Sequence, residues 1–416
     1  MDDPGPPLVD WAPPSPPLPL SRRQLVIRAA LAVTFVTVAG AIAVNQLHLT
    51  TFVIADRTWS PTARVEFHGD TWEGNVVVVG STVYLLTRED IDGFWGNLYL
   101  HRSDDGGLTW TDPQRVTSGD IDAARHSLTL ASDGTLWAAW SQRGPAPETQ
   151  RLLLSHSDDG GLTWDAATRV TSPDIRTVGI PSLLMTDEVH LVAFTDGSSG
   201  DVNVQLLDAH GVASGDRRKI SATSRRLYSD STFLDAGLAL AGDGGRVALA
   251  FDDGTFLHLA VGSAEGELTD QVAAIGGTGA APRLVATTDG FDGLFAVSAE
   301  NGLGRLDRQV SADAGARWDA SHWSGPPVFG ASLSRAESGG FGAWATCSSS
   351  RCTKSKIWLT DLDRGFDQPT SVVVGATSGP VAIEPTGGGI LIAWVEQGSS
   401  GKATDRTVLV TTGPKP

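Results

Sequence analysis

The sequence predicts an all-β chain built as a seven-bladed propeller, on three observations. Two eight-residue stretches are nearly identical, Ser103-Asp104-Asp105-Gly106-Gly107-Leu108-Thr109-Trp110 and Ser157-Asp158-Asp159-Gly160-Gly161-Leu162-Thr163-Trp164. A third, worn copy runs from Ser311 through Asp313 and Gly315 to Trp318, with Arg317 in place of the threonine. One period of roughly 50 residues separates the first two copies and about three more reach the third, the length of a propeller blade. The second observation is a recurring pair of short alternating runs, such as His126-Ser127-Leu128-Thr129-Leu130 followed by Leu136-Trp137-Ala138-Ala139-Trp140. Equivalent pairs begin near Asn75, Pro181, Ala236, Pro282, Ser332 and Val381, which makes seven units. The third is composition: 48 glycines and 13 tryptophans against three tyrosines in 416 residues suit frequent turns and short strands.

Each element of the ring follows from the residues. The last unit supplies three strands before the chain ends. Its fourth strand is expected from the other terminus, where Thr58-Trp59 and Arg64-Val65 copy the spacing of Thr109-Trp110 and Arg115-Val116. Pairing of residues 58–67 beside 407–410 would close the ring and remove an exposed sheet edge. In each eight-residue box, an aspartate and a glycine two apart suit a tight turn. The carboxylate accepts backbone N–H groups, the glycine takes positive φ, and the tryptophan is expected to cover the turn as a buried plug.

These boxes resemble the Asp box, Ser-x-Asp-x-Gly-x-Thr-Trp, of sialidase-like β-propellers. The resemblance covers the repeat scaffold over most of residues 45–416. It implies that the box closes the turn between the third and fourth strands of a blade, on the face away from the ligand site. Ser103, Asp105, Gly107, Thr109 and Trp110, with Ser157, Asp159, Gly161, Thr163 and Trp164 and with Ser311, Asp313, Gly315 and Trp318, are therefore read as structural. A six-bladed ring, as in the sialidases, is the alternative if one weaker unit is a decoration.

The amino terminus divides into a Pro-rich tail, residues 1–20, and a segment over 21–44. Ser21-Arg22-Arg23-Gln24-Leu25 ahead of the apolar run from Ala29 to Val44 resembles a twin-arginine export signal. Ala41-Ile42-Ala43 offers a cleavage site, while the run taken from Leu25 approaches the length of a membrane span. Cleaved signal and retained anchor both stay open, and both place residues 45–416 outside the cytoplasmic membrane. Cys347 and Cys352, the two cysteines, stand in a serine-rich loop, where a short disulfide suits an oxidising compartment and partner ligands for a metal are lacking. No cofactor or metal is expected, and a monomer is. The net charge of −17 disfavours nucleic acid.

Candidate ligand residues lie in the loops expected opposite the boxes. They include Glu66, His68, Asp70 and Trp72, then Asp122, Arg125 and His126, then Arg176, then Arg226 and Tyr228. The first blade adds Arg88-Glu89-Asp90-Ile91-Asp92-Gly93-Phe94-Trp95, read as an acidic loop with aromatics at its tip. The linkers over 276–281, 325–330 and 375–379 hold few polar side chains, so polarity concentrates over half the ring. Charged residues also populate any exposed loop. Resemblance to sialidases implies three arginines on a substrate carboxylate, a glutamate-activated tyrosine nucleophile and an aspartate acid. Arg125, Arg176 and Arg226 mimic the clamp, and Trp95 or Trp72 would cover a sugar face. The remaining pattern departs: no Arg-Ile-Pro-type motif precedes the first box, and no tyrosine follows Tyr228. An enzyme would need Tyr228 with Glu66 and with Asp70 or Asp122 in an order unlike the family's. The expected function is a non-catalytic module binding a glycan or an envelope protein, with an exo-sialidase-type hydrolase and an extracytoplasmic assembly factor as alternatives.

Overall fold

The computed structural model describes residues 53–54, 57–59, 63–65, 70–90, 96–118, 122–143, 151–172, 177–197, 199–222, 237–243, 245–252, 256–263, 268–276, 280–297, 304–336, 339–347, 355–367, 369–374, 377–386, 389–397, 406–413 and 415–416. They belong to one compact unit, Thr51–Pro416. Among them no helix is long and apolar enough to cross a membrane; the readings made for 1–44 lie outside the described residues.

Seven four-stranded antiparallel sheets form the body. Their first strands are Asp70–Val79, Asp122–Leu130, Thr177–Met185, Ala239–Gly242, Ala280–Ala286, Val328–Ala336 and Thr377–Thr386, opening blades one to seven. Each first strand touches those of the blades before and after it, and the seventh touches the first, so these strands line a closed ring. Blade seven takes its fourth strand from the amino terminus, with Ala63 paired to Val410 and Arg64 to Leu409. Trp59 and Val65 beside that strand are 3 % and 1 % exposed, which anchors the closure in packing as well as in pairing. Seven blades, not six, therefore complete the ring.

The apolar alternation explains the packing. Buried residues fall into seven clusters, one at every seam between neighbouring blades, including the seam of blades seven and one. A buried aromatic recurs on the second strand of six blades, as Trp140, Phe194, Phe251, Phe295, Trp344 and Trp394. Each faces the preceding blade. A strand buried on both faces needs this double apolar pattern.

The boxes close the turns after the third strands of blades one, two and five, Gly96–Ser103, Arg151–Ser157 and Arg305–Ser311. In the first, Thr109 N and Oγ1 donate to the Asp105 carboxylate at 2.8 and 2.6 Å, and Gly107 N donates to Ser103 Oγ at 2.8 Å. The second repeats these bonds with Thr163, Asp159, Gly161 and Ser157. In the third, Arg317 keeps the backbone bond to Asp313 at 2.8 Å, and Gly315 N donates to Ser311 Oγ. Ala314 takes the place of Gly106 and Gly160 and keeps their left-handed backbone, φ 58° against 77° and 71°. Ala314→Gly is expected to stabilise the ring by about 1 kcal/mol, since the left-handed region strains a Cβ; a higher urea midpoint checks this.

The tryptophans need one correction. Trp110, Trp164 and Trp318 are partly buried at the edges of the seam clusters, not enclosed, because they cap a surface turn. The Trp110 indole donates to Gly107 O at 3.1 Å, so it still covers its own turn.

Two kinds of carboxylate oppose each other in pH dependence. The hydroxyl and then the amide of Thr109 pull Asp105 down to about 2, and those of Thr163 do the same to Asp159. Groups held below the ordinary value stabilise the fold above about pH 4, and that stability is lost as pH falls toward 2. Glu384, on the first strand of blade seven, keeps some residue surface exposed, but burial of its carboxyl pushes it up to about 7, against the Ser334 hydroxyl donating at 2.6 Å. A raised carboxyl favours the folded state below its ordinary value and loses that advantage as pH rises through 7. Glu384→Gln is expected to raise stability at pH 8 by about 1–2 kcal/mol and to leave it unchanged at pH 4. Urea midpoints at the two pH values check this.

Candidate functional site at the open end of the ring

The end opposite the boxes is formed where each first strand begins and where second strands turn into third strands. Ladder irregularities cluster there, between Thr71 and Gly74, Ala124 and His126, Val178 and Ser182, Val328 and Gly330, and Thr377 and Gly379. Bulges bend strands and re-aim side chains, and they favour the rims of closed sheets.

Arg125 is the bulged residue of blade two. Its φ is 54°, and it shares a left-handed backbone with only Ala314 among described residues other than glycine. The residue is partly buried on the innermost strand. A bulky side chain in that region costs about 1–2 kcal/mol.

Around it stands a braced seam. Arg88 donates through Nη2 to Asp122 Oδ1 at 2.7 Å and through Nε to Ala123 O at 2.7 Å, tying blade one to blade two. The Asp122 side chain is buried and also accepts from Gly96 N at 3.4 Å. His126, 1 % exposed, faces Leu86 O through Nε2 at 3.2 Å. On the other face of blade one, Glu89 and His101, 0 % and 1 % exposed, pair at 2.7 Å, with the Thr87 hydroxyl donating to Glu89 at 2.9 Å. These three share their sheet face with Leu85, which packs into the seam with blade seven. Arg88, Glu89 and Asp90 thus end the strand Thr82–Asp90 and do not belong to the loop in which the sequence placed them. The cross-strand pairing of Asp90 with Gly96 and of Glu89 with Asn97 extends the hairpin that far.

Of the sequence candidates, the structure brings Asp122, Arg125 and His126 together at the start of one strand. Asp70 and Trp72 lie in the first strand of blade one, Asp70 opposite Asp90. Glu66, His68, Trp95, Arg176, Arg226 and Tyr228 lie outside the described residues, and so does the convergence of the three arginines. Cys347 ends a strand, and Cys352 lies outside the described residues. Among described residues no group of His, Cys, Asp or Glu is arranged to hold a metal ion. The Tyr84 ring is buried, and its hydroxyl lies toward Gly160 at the box end, away from the open end. Tyr99 sits inside the third strand of blade one, opposite Thr87 and Arg115.

The wall of the ring carries a charged residue that no local sequence pattern marks. Register places Arg283 of blade five level with Ser127, Ser182 and Ser332 of blades two, three and six. Ser182 Oγ accepts from Leu240 N, and Ser332 Oγ from Ile383 N, each in the next blade. In that position burial lowers the Arg283 pKa, and its guanidinium donates to Pro282 O at 2.9 Å. An arginine where other blades carry serine was visible only once the blades were aligned.

No protein-family model matches the chain, and no curated protein matches it by sequence. Solved structures do. A protein described as of unknown function from Dyadobacter fermentans superposes with a TM-score of 0.51 at 13 % identity, over 84 % of this chain and 99 % of that one. The phage phi92 endosialidase gives 0.50 at 10 % identity, over 85 % and 68 %. An alpha-L-arabinanase from Penicillium chrysogenum gives 0.45 at 13 % identity, over 76 % and 99 %. At such identities the likeness is one of fold alone: the chain is a β-propeller.

Proposed function

We propose that this chain is an exported or membrane-anchored, sialidase-like propeller that works as a non-catalytic binding module, taking an acidic glycan or an acidic group of an envelope protein at its open end. Arg125 carries the reading. A large cationic residue held in a strained bulge is costly to the fold, and strain of this kind gathers at ligand sites. The Arg88–Asp122 brace beside it fixes the strand that presents it. A guanidinium suits a carboxylate in forked geometry. Catalysis would need a nucleophile and an acid matched to the transition state, and binding residues alone do not lower a chemical barrier.

Arg125→Gly separates function from folding. The variant is expected to keep its stability or gain up to about 1 kcal/mol, read from the urea midpoint, because glycine accepts the left-handed backbone. It should also lose binding to immobilised sialic acid by about tenfold, equivalent to about 1.4 kcal/mol. Equal binding by variant and wild type would remove the proposal. The full-length protein should hydrolyse a fluorogenic sialoside slowly or not at all. Robust turnover abolished by Tyr228→Phe would establish the exo-sialidase alternative instead.

A further inference from the structure

The box end of the ring carries a second surface, unrelated to the open end. Five large apolar side chains are exposed among the described residues: Val79, Leu108, Leu162, Val212 and Phe256, at 45, 52, 59, 46 and 43 %. Four of the five lie at the box end of three consecutive blades. Leu108 and Leu162 follow Gly107 and Gly161 in the two full boxes. Val212 follows Gly211 in the turn Asp208-Ala209-His210-Gly211, which occupies the same place in blade three: Asp208 Oδ1 accepts from His210 N and Val212 N at 2.9 Å each. Val79 precedes the turn whose Ser81 carbonyl accepts from Gly106 N, so it stands beside the first box.

These tips are tied to one another by seams. Arg102 of blade one donates to Gly160 O of the second box at 3.3 Å. Gly211 approaches Trp137 and Leu154 of blade two so closely that a Cβ would stand 2.6 Å from either. Exposed carboxylates accompany the apolar tips, with Asp104, Asp158 and Asp165 side chains 59, 73 and 71 % exposed; Asp104 lies 2.9 Å from Arg102, and Asp158 and Asp165 lie 4.0 and 3.2 Å from His156, so three carboxylates face one arginine and one histidine. Asp105 and Asp159 stay ionised through their own turns.

We propose that the box end of blades one to three is a docking surface for a basic polypeptide segment whose apolar side chains cover Leu108, Leu162 and Val212. The apolar row gives contact area, and the carboxylates fix the sign of the partner's charge, which also argues against an anionic bilayer or a second acidic copy. The chain's net charge of −17 adds long-range attraction.

The test uses the full-length protein in the presence of anionic lipid vesicles and a short synthetic helix with one leucine face and one lysine face, carrying a photo-crosslinker. Crosslinks are expected at the tips bearing Val79, Leu108, Leu162 and Val212. The triple variant Leu108→Ser, Leu162→Ser, Val212→Ser should weaken binding by at least about tenfold, as central apolar contacts do. Asp104→Asn with Asp158→Asn should weaken binding and flatten its salt dependence. Phe256→Ser, at the open end, should change nothing. Circular dichroism of each variant verifies the fold. Crosslinks elsewhere or undiminished binding by the triple variant overturns the proposal. So does crosslinking of the tips to lipid, or loss of a dimer in place of loss of peptide. Sialic acid binding at the open end reads out separately, so failure of one proposal leaves the other standing.

Discussion

Gly161→Ala is expected to destabilise the ring by about 2–5 kcal/mol, combining left-handed strain with overpacking of a closed seam. Gly161 has φ +87°, and a Cβ there would stand 2.0 Å from Leu100 Cδ2. Leu100 is 1 % exposed, so its methyl group has no free space to enter. Gly106→Ala provides the comparison, because its φ is +77° and nothing lies within 4 Å of a Cβ. That variant should lose only the backbone part, about 1–2 kcal/mol. The difference between the two urea midpoints therefore measures seam packing. Equal midpoints would show that the box glycine serves its own turn and not the neighbouring blade.

Removing residues 52–67 is expected to abolish cooperative unfolding, because the whole ring depends on one seam. The deletion takes away the strand Ala63–Arg64 and exposes the edge of Arg406–Gly413. It also removes Trp59 from the apolar cluster of blades six and seven and Val65 from that of blades seven and one. Loss of a buried tryptophan alone costs about 3–5 kcal/mol, and an open edge adds a template for aggregation. Light scattering with a denaturant titration reads both effects. A soluble deletion variant with a sharp transition would mean that the other six blades hold the fold unaided.

Blades were legible in the sequence because turn chemistry is local. Ser, Asp, Gly and Thr of each full box bond to one another within a few residues, and Trp59 to Val65 carried the same spacing to the far end of the chain. Side-chain partnerships across blades were not legible. Arg88 and Asp122 are 34 positions apart, and nothing in their neighbourhoods marks them as a pair. Arg88 and Glu89 resembled loop residues because an acidic run followed, although the hairpin continues through them. Arg283 and Glu384 were passed over because a single charge inside an apolar strand becomes conspicuous only after register shows what its counterparts are. The candidate site was therefore visible as loop polarity, while its bracing and its strained arginine required the fold.

Closure of blade seven also sets an order of events. Residues 63 and 64 leave the ribosome among the earliest of the ring, yet their partners, Val410 and Leu409, are among the last. The strand must wait unpaired while six blades are made, and the final seam forms only after Leu409 and Val410 have been made. Contacts at such sequence separation make folding slow. A ring of this design is made in full before it can be sealed, and refolding in vitro should show the blade-seven seam as its latest step.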